Sequence, residues 1–225
     1  MRTLARPMVS LLALAALFGA TPSPGRAQSV VVGGVGGANR SRELLERAAD
    51  SELRNGFVVG AWVDVETPKP PLHVLAEAAY ARRGGRYPLG GASGLTGVVE
   101  SDWVAVTVAP VFHVGIGPLA AYAYGGPTLE MPVRTRTAAE LQNVYAAPSD
   151  QELSVTAGAG LEGRMDGWSV RGEARIVQGL SSSYSGSAGD IRHRSVEMVM
   201  RVGRRTQGPS APMGTTAMPS SRRYP

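Results

Sequence analysis

The chain has 225 residues, with 23 Lys+Arg against 18 Asp+Glu, a formal net charge of +5, 29 glycines, three phenylalanines and no cysteine. The lack of cysteine excludes disulfide frameworks, thiol nucleophiles and thiolate metal sites. Abundant glycine with so few large aromatics argues against the densely packed core that a soluble domain of this length would build.

The first 28 residues, ending RAQ, carry Arg2 and Arg6, then an apolar run over Val9–Ala20, then a polar stretch containing prolines. This is the layout of a secretory signal peptide, with cleavage expected after Gln28. The run falls well short of the ~20 residues of a membrane-spanning helix, and no later run is longer. Losing Arg2, Arg6 and Arg26 with the leader lowers the net charge from +5 to +2. That small excess, on an exported chain, argues against a nucleic-acid partner.

The exported part reads as strands. Ser29–Ala38 is the first, rich in glycine. Asn39–Asn55 reads as a long loop, with a short surface helix in SRELLERAADSELR. Gly56–Val65 is the second strand: Phe57, Val59, Ala61, Val63 and Val65 share one face, opposite Gly60, Trp62 and Asp64. The prolines of Glu66–Pro71 fix a short turn. Leu72–Ala81 is the third strand, with His73 and Glu77 on the face opposite Leu72, Val74, Ala76, Ala78 and Tyr80. Arg82–Gly97 reads as a second long loop. Val98–Val114 holds the fourth strand, where Pro110 marks a bulge or an end. After a tight turn at Gly115–Pro118, Leu119–Val133 is the fifth, with Tyr122, Tyr124, Thr128 and Glu130 on its polar side and an irregularity expected at Pro127. Arg134–Gln151 is a third long loop.

Leu153–Val177 is the clearest stretch. Leu153, Val155, Ala157, Ala159 and Leu161 alternate with Ser154, Thr156, Gly158, Gly160 and Glu162. After a turn at Arg164–Gly167, Trp168, Val170, Gly172, Ala174 and Ile176 alternate with Ser169, Arg171, Glu173 and Arg175. Period-two alternation puts the two sets on opposite faces. Gly179–Arg192 is a fourth long loop. Arg194–Arg204 is the eighth strand, with Val196, Met198, Met200 and Val202 on one face and Glu197 and Arg201 on the other. Residues 206–225 are rich in Pro, Ser and Thr and are expected to be a disordered tail.

The connections run long, short, long, short, long, short, long. Membrane barrels of the outer membrane have that asymmetry. In strands two, three, five, six, seven and eight no assigned outward position is charged within the spanning stretch, and the charges fall on the opposite parity, as lipid requires. The fold expected is all-β: a closed, eight-stranded, antiparallel up-and-down transmembrane β-barrel over 29–205 with a polar, charged interior.

In order and spacing, VVVGGVGGANRS, GFVVGAWVDVE, LAEAAYARRGGRY, LAAYAYGGPTLEM, SVTAGAGLEGRM, WSVRGEARIVQGLS and SVEMVMRVGRR resemble the small outer-membrane β-barrel family of eight strands. The resemblance implies insertion by outer-membrane assembly machinery and carries over no catalytic residue.

His73, Glu77, Glu130, Glu162, Arg171, Glu173, Arg175, Glu197 and Arg201 form the expected interior charge network. An eight-stranded barrel is just wide enough for its side chains, so these are read as a plug in place of a pore. Arg82, Arg83, Arg86, Arg134, Arg136, Arg192 and Arg194, with Arg40, Arg42 and Arg54, fall in expected loops, and guanidinium groups suit the phosphates of lipopolysaccharide. His73, His113 and His193 offer the residue types of a metal site or a hydrolase dyad, with His193 near Ser182, Ser183 or Ser195 the relevant pairing; no catalytic, cofactor or metal residue is assigned. The expected role is structural or surface-binding, as a monomer among outer-membrane lipids. The alternatives are a lipid-modifying enzyme on the same scaffold and a soluble periplasmic barrel that binds an apolar ligand.

Overall fold

The computed structural model describes residues 29–45, 51–88, 96–139, 147–182, 184–186 and 189–206, all within one compact unit, Gln28–Ser210. The expected signal peptide lies outside the described residues, as does the expected tail beyond Thr206. The strands in chain order are β1 (Val30–Leu45), β2 (Arg54–Glu66), β3 (Leu72–Pro88), β4 (Thr96–Ile116), β5 (Leu119–Thr137), β6 (Ala147–Pro148), β7 (Glu152–Met165), β8 (Trp168–Gly179), β9 (Tyr184–Gly186) and β10 (Gly189–Thr206). Eight of them are long. They neighbour one another antiparallel in the order β1-β2-β3-β4-β5-β7-β8-β10, and β10 pairs back onto β1 from Val30↔Thr206 to Leu45↔Ile191, completing the ring. The short β9 and β6 extend the sheet beside the outer end of β10.

Alternation decides which side each residue takes. In β8 the exposed Trp168, Val170, Gly172, Ala174 and Ile176 interleave with buried Ser169, Arg171, Glu173, Arg175 and Val177. Here burial means the inside of the ring, and the inside is where the charges are. The outer wall is aliphatic: Val59, Phe112, Val114, Leu161, Met198 and Met200 are all more than half exposed. On β10 the outward arginines Arg194 and Arg204 bracket Val196, Met198, Met200 and Val202. That spacing matches the ~9–11 residues of a tilted membrane strand. On β3 the uncharged outward stretch is Leu72–Tyr80, ending at Arg82.

The strands run past their expected ends at the face of the long connections. In the stretch 39–55, where a short helix is expected, β1 continues through Ser41–Leu45, β2 begins at Arg54, and Ser51 N–H donates to the Glu43 carbonyl (3.1 Å); residues 46–50 lie outside the described residues. The residues are good helix formers, but inward Ser41 bonds the backbone of Gly84 (3.0 Å) and inward Glu43 bonds Tyr87. Those partners, with the β10 ladder running to Leu45↔Ile191, outweigh a helix propensity of a few tenths of a kcal/mol per residue. Likewise Arg82–Pro88, Arg134–Thr137 and Gly189–Arg192 are strand, not loop.

Pro110 and Pro127 share one irregularity. The β4–β5 ladder stops after Thr107↔Thr128 and resumes at Val111↔Tyr124, and both prolines, which have no N–H to donate, lie in the gap. A bulge follows at Asp102/Trp103, opposite Pro132 and Arg134.

The β7–β8 hairpin turns on Asp166 (φ 48°) and Gly167 (φ 80°). Two successive positive φ values match the twist of the strands they join. Gly167→Val is expected to lower stability by about 1–2 kcal/mol through left-handed strain. Urea unfolding in detergent micelles measures it; an unchanged midpoint would show that the turn relaxes.

Candidate functional site

The interior holds two groups of ion pairs along the barrel axis, built from every second residue of the strands, with the Trp62 and Tyr122 rings between them. Nearest the tight turns, Arg171 on β8 donates to Asp64 on β2 (2.7 Å) and lies 3.4 Å from Glu162 on β7, with its guanidinium 4.6 Å from the Trp62 ring centroid. Ser169 donates to the same Glu162 carboxylate (2.7 Å). In the middle, Arg201 bridges Glu77 (2.6 Å) and Glu173 (2.9 Å), and Arg175 bridges Glu77 and Glu197 (both 2.7 Å). Tyr122 and Tyr124 donate to Glu173 at 2.6 and 2.7 Å. Their rings occupy space that β7 leaves open: a Cβ on inward Gly158 would meet the Tyr124 ring at 2.7 Å, and one on Gly160 the Tyr122 hydroxyl at 2.9 Å. Towards the long connections, Arg83 joins Glu130 and Glu197, and His193 lies between Glu130 (2.8 Å) and Glu152 (3.0 Å).

Glu77, Glu130, Glu162, Arg171, Glu173, Arg175, Glu197 and Arg201 are thus all buried inside the ring, and His73 lines it at intermediate exposure. Each carboxylate faces at least one cation, the arrangement that desolvated charges require. Among the described residues the network also takes in Asp64, Arg83, His113, Glu152 and His193. Asp64 and Glu152 share the inward parity of neighbours already assigned inside. Arg83 lies beyond Ala81, the expected end of the third strand, so parity does not reach it.

The arginines expected at the surface divide. Arg83 is a correction: it is 3% exposed and faces Glu130, Glu197 and His193, so it is a core residue. Arg82 points outward onto Asp102 (2.8 Å) and over the Phe57 ring (5.3 Å), and Arg136 bonds Glu100 (3.1 Å). Glu100 lies above the apolar belt, and its hydrogen bond from Arg54 holds its carboxyl below the usual range against the opposing effect of partial burial. Arg134 is outward and exposed, paired in register with Asp102, and Arg86 is exposed beside Glu52, with which it exchanges backbone bonds. Arg192 and Arg194 project outward from β10, and Arg194 sits directly across the β1–β10 seam from Arg42, one step from Arg40. The seam therefore carries like charges side by side, just above the aliphatic belt.

The Ser–His pairings do not form among the described residues. His193 is 3% exposed, Ser195 donates to Glu197 (3.2 Å), and Ser182 pairs with the backbone of Ile191; Ser183 lies outside the described residues.

Comparison with protein families, and with curated proteins, finds no match for this chain. Solved structures do resemble it. The outer membrane protein OprG from Pseudomonas aeruginosa aligns with 81% of this chain and 98% of its own at 9% identity and a TM-score of 0.51. Neisserial surface protein A aligns with 76% of this chain and 96% of its own at 10% identity (TM-score 0.46), and Ail, the attachment invasion locus protein of Yersinia pestis, with 81% and 100% at 15% (TM-score 0.39). The likeness to OprG, with the eight-strand ring and its inside-out partition, shows the fold: that of the small outer-membrane β-barrels.

Proposed function

We propose that this chain is an integral outer-membrane barrel protein that acts as a non-enzymatic, surface-binding element through the outer ends of its strands and its longer connections. The observation that carries this is the partition itself: fully buried Arg171, Arg201, Glu130 and Glu162 inside, and half-exposed Met198, Met200, Val114 and Leu161 outside. In water the aliphatic wall would be wetted hydrocarbon; in a bilayer it meets lipid, while the charges, paired with one another inside the ring, are kept away from it. A soluble barrel holding an apolar ligand fits poorly, since the space such a ligand needs is lined by ion pairs. A Ser–His lipid-modifying site would need a serine beside His193, where carboxylates and Arg83 stand.

Fractionation with heat-modifiable gel mobility tests the reading. The expected result is an outer-membrane protein whose unheated band migrates faster, with no conductance in planar bilayers. Recovery from the periplasm without detergent, or stepwise ion currents, would overturn it.

The seam arginines supply the binding chemistry: bidentate donors at the height of lipid phosphates. Changing Arg42, Arg192 and Arg194 to Gln together is expected to weaken binding of lipopolysaccharide to the detergent-purified protein about tenfold or more, given ~1.5–3 kcal/mol for a charged hydrogen bond. Gln replacement of Arg82, which lies on β3 away from the seam, is expected to change it little. Equal effects of the two would remove the seam from the proposal.

A further inference from the structure

At the end of the interior nearest the tight turns, Asp64, His73 and His113 converge from β2, β3 and β4. One ligand atom from each lies within 4.8 Å of the other two. The His73 and His113 rings stack with centroids 4.2 Å apart, and Asp64 Oδ1 is 2.7 Å from His73 Nδ1. Three features set this cluster apart from an ordinary core ion pair.

His113 is 8% exposed, yet neither ring nitrogen has a hydrogen-bonding partner. Nδ1 is 3.2 Å from Glu162 Oε2 and Nε2 is 3.7 Å from Asp64 Oδ2, but neither approach has hydrogen-bond geometry. A buried imidazole whose two nitrogens meet carboxylates only at these poorly aligned distances is incompletely satisfied. It is also aimed at two carboxylates, where a cation would satisfy all three groups.

The carboxylates are braced from behind. Arg171 donates to Asp64 Oδ2, and Ser169 and Arg171 lie at Glu162 Oε1, leaving Asp64 Oδ1 and Glu162 Oε2 on the histidine side. Arg164, 42% exposed, also reaches Glu162 Oε2 (2.8 Å). Hydrogen bonds that orient ligands from outside are what metal sites use to fix geometry.

There is a way in. His73 is the second residue of β3, after the short β2–β3 connection, and its side chain is 12% exposed at that mouth. The other histidine-bearing cluster, Glu130–Glu152–His193, differs: Arg83 Nη1 lies 2.9 Å from His193 Nε2, so a guanidinium occupies the cation's place.

We propose that Asp64, His73 and His113, with Glu162 as a fourth donor, bind one divalent transition cation at the turn-side mouth of the barrel. Two imidazoles and carboxylate oxygen are the donor set of Zn²⁺ and its first-row neighbours rather than of Ca²⁺ or Mg²⁺. Tetrahedral ligands at ~2.0–2.1 Å sit about 3.3 Å from one another, so small side-chain rotations would close the site. The inference needs only the barrel and does not depend on what the outer arginines contact.

The test uses the full chain, folded in detergent and stripped with chelator. Zn²⁺ titration followed by calorimetry, and Co²⁺ followed by visible absorption, are expected to give one equivalent with a four- or five-coordinate d–d spectrum. His113→Ala and His73→Ala are expected to weaken Zn²⁺ by about 100-fold or more, and Arg171→Gln, which removes the brace, by ~10–100-fold. His193→Ala is expected to leave affinity unchanged. Heat-modifiable mobility confirms that each variant is folded, and the Co²⁺ spectrum of the unaltered chain needs no variant. No stoichiometric binding by the unaltered chain, or equal loss in His193→Ala and His113→Ala, would overturn the site.

Discussion

Arg201→Met is expected to lower the folding free energy by about 3–5 kcal/mol, the cost of leaving buried partners of a broken ion pair uncompensated. Arg201 is 1% exposed and holds Glu77 at 2.6 Å, Glu173 at 2.9 Å and the Tyr124 hydroxyl at 3.2 Å. Methionine fills much of the same volume but returns none of those bonds. Glu173 would keep its two tyrosine donors and Arg175 at 3.8 Å, and Glu77 would keep Arg175. The loss therefore falls on two carboxylates sharing too few cations in a space that water enters poorly. Arg204→Met, three residues along the same strand on the outward face, is expected to change stability by no more than about 0.5 kcal/mol. Urea-induced unfolding in micelles, followed by tryptophan fluorescence, compares them directly; Trp62 lies 5.8 Å from the Arg201 guanidinium and reports the same region. If the two variants unfold together, the interior pairs do not hold the wall.

The strand faces were legible because burial has a period of two and charge marks it. From Phe57 to Val65, Leu72 to Ala81 and Leu153 to Val177, the residues placed outward by parity are those on the aliphatic wall. The strand ends were not legible, for a local reason. Arg82–Arg83–Gly84–Gly85–Arg86 has loop composition, but Arg83 and Tyr87 have inward partners more than forty residues away, in Glu130 and Glu43. No window of sequence contains those contacts. SRELL failed in the same way, since its helix formers are held as strand by β10, far along the chain. Pro110 and Pro127 were each legible as an irregularity, but that they face one gap depends on the β4–β5 register. The convergence of Asp64, His73 and His113 was hidden too: parity put Asp64 and His73 inside, but only the stagger of three strands brings His113 to the same height.

Met198→Arg is expected to destabilise the inserted barrel by about 2–4 kcal/mol, while Val202→Arg, closer to the turn-side interface, is expected to cost only ~0–1 kcal/mol. Met198 is 64% exposed, outward, and flanked across β1 by Ala38 and across β8 by Ala174, neither of which offers a charge or a hydrogen-bonding side chain. It sits roughly midway between the outward arginines Arg194 and Arg204, so a guanidinium there has the longest path to water on either side. This pair of substitutions separates lipid from water as the outer solvent more sharply than any single one. In water, both positions are exposed side chains on one strand, and arginine at either should be nearly neutral and improve solubility. In lipid the cost must grade with depth. Unfolding free energies in bilayers of fixed thickness give the comparison. Equal small effects at both positions would mean that hydrocarbon does not surround the wall, and the ion pairs inside would then need a different explanation.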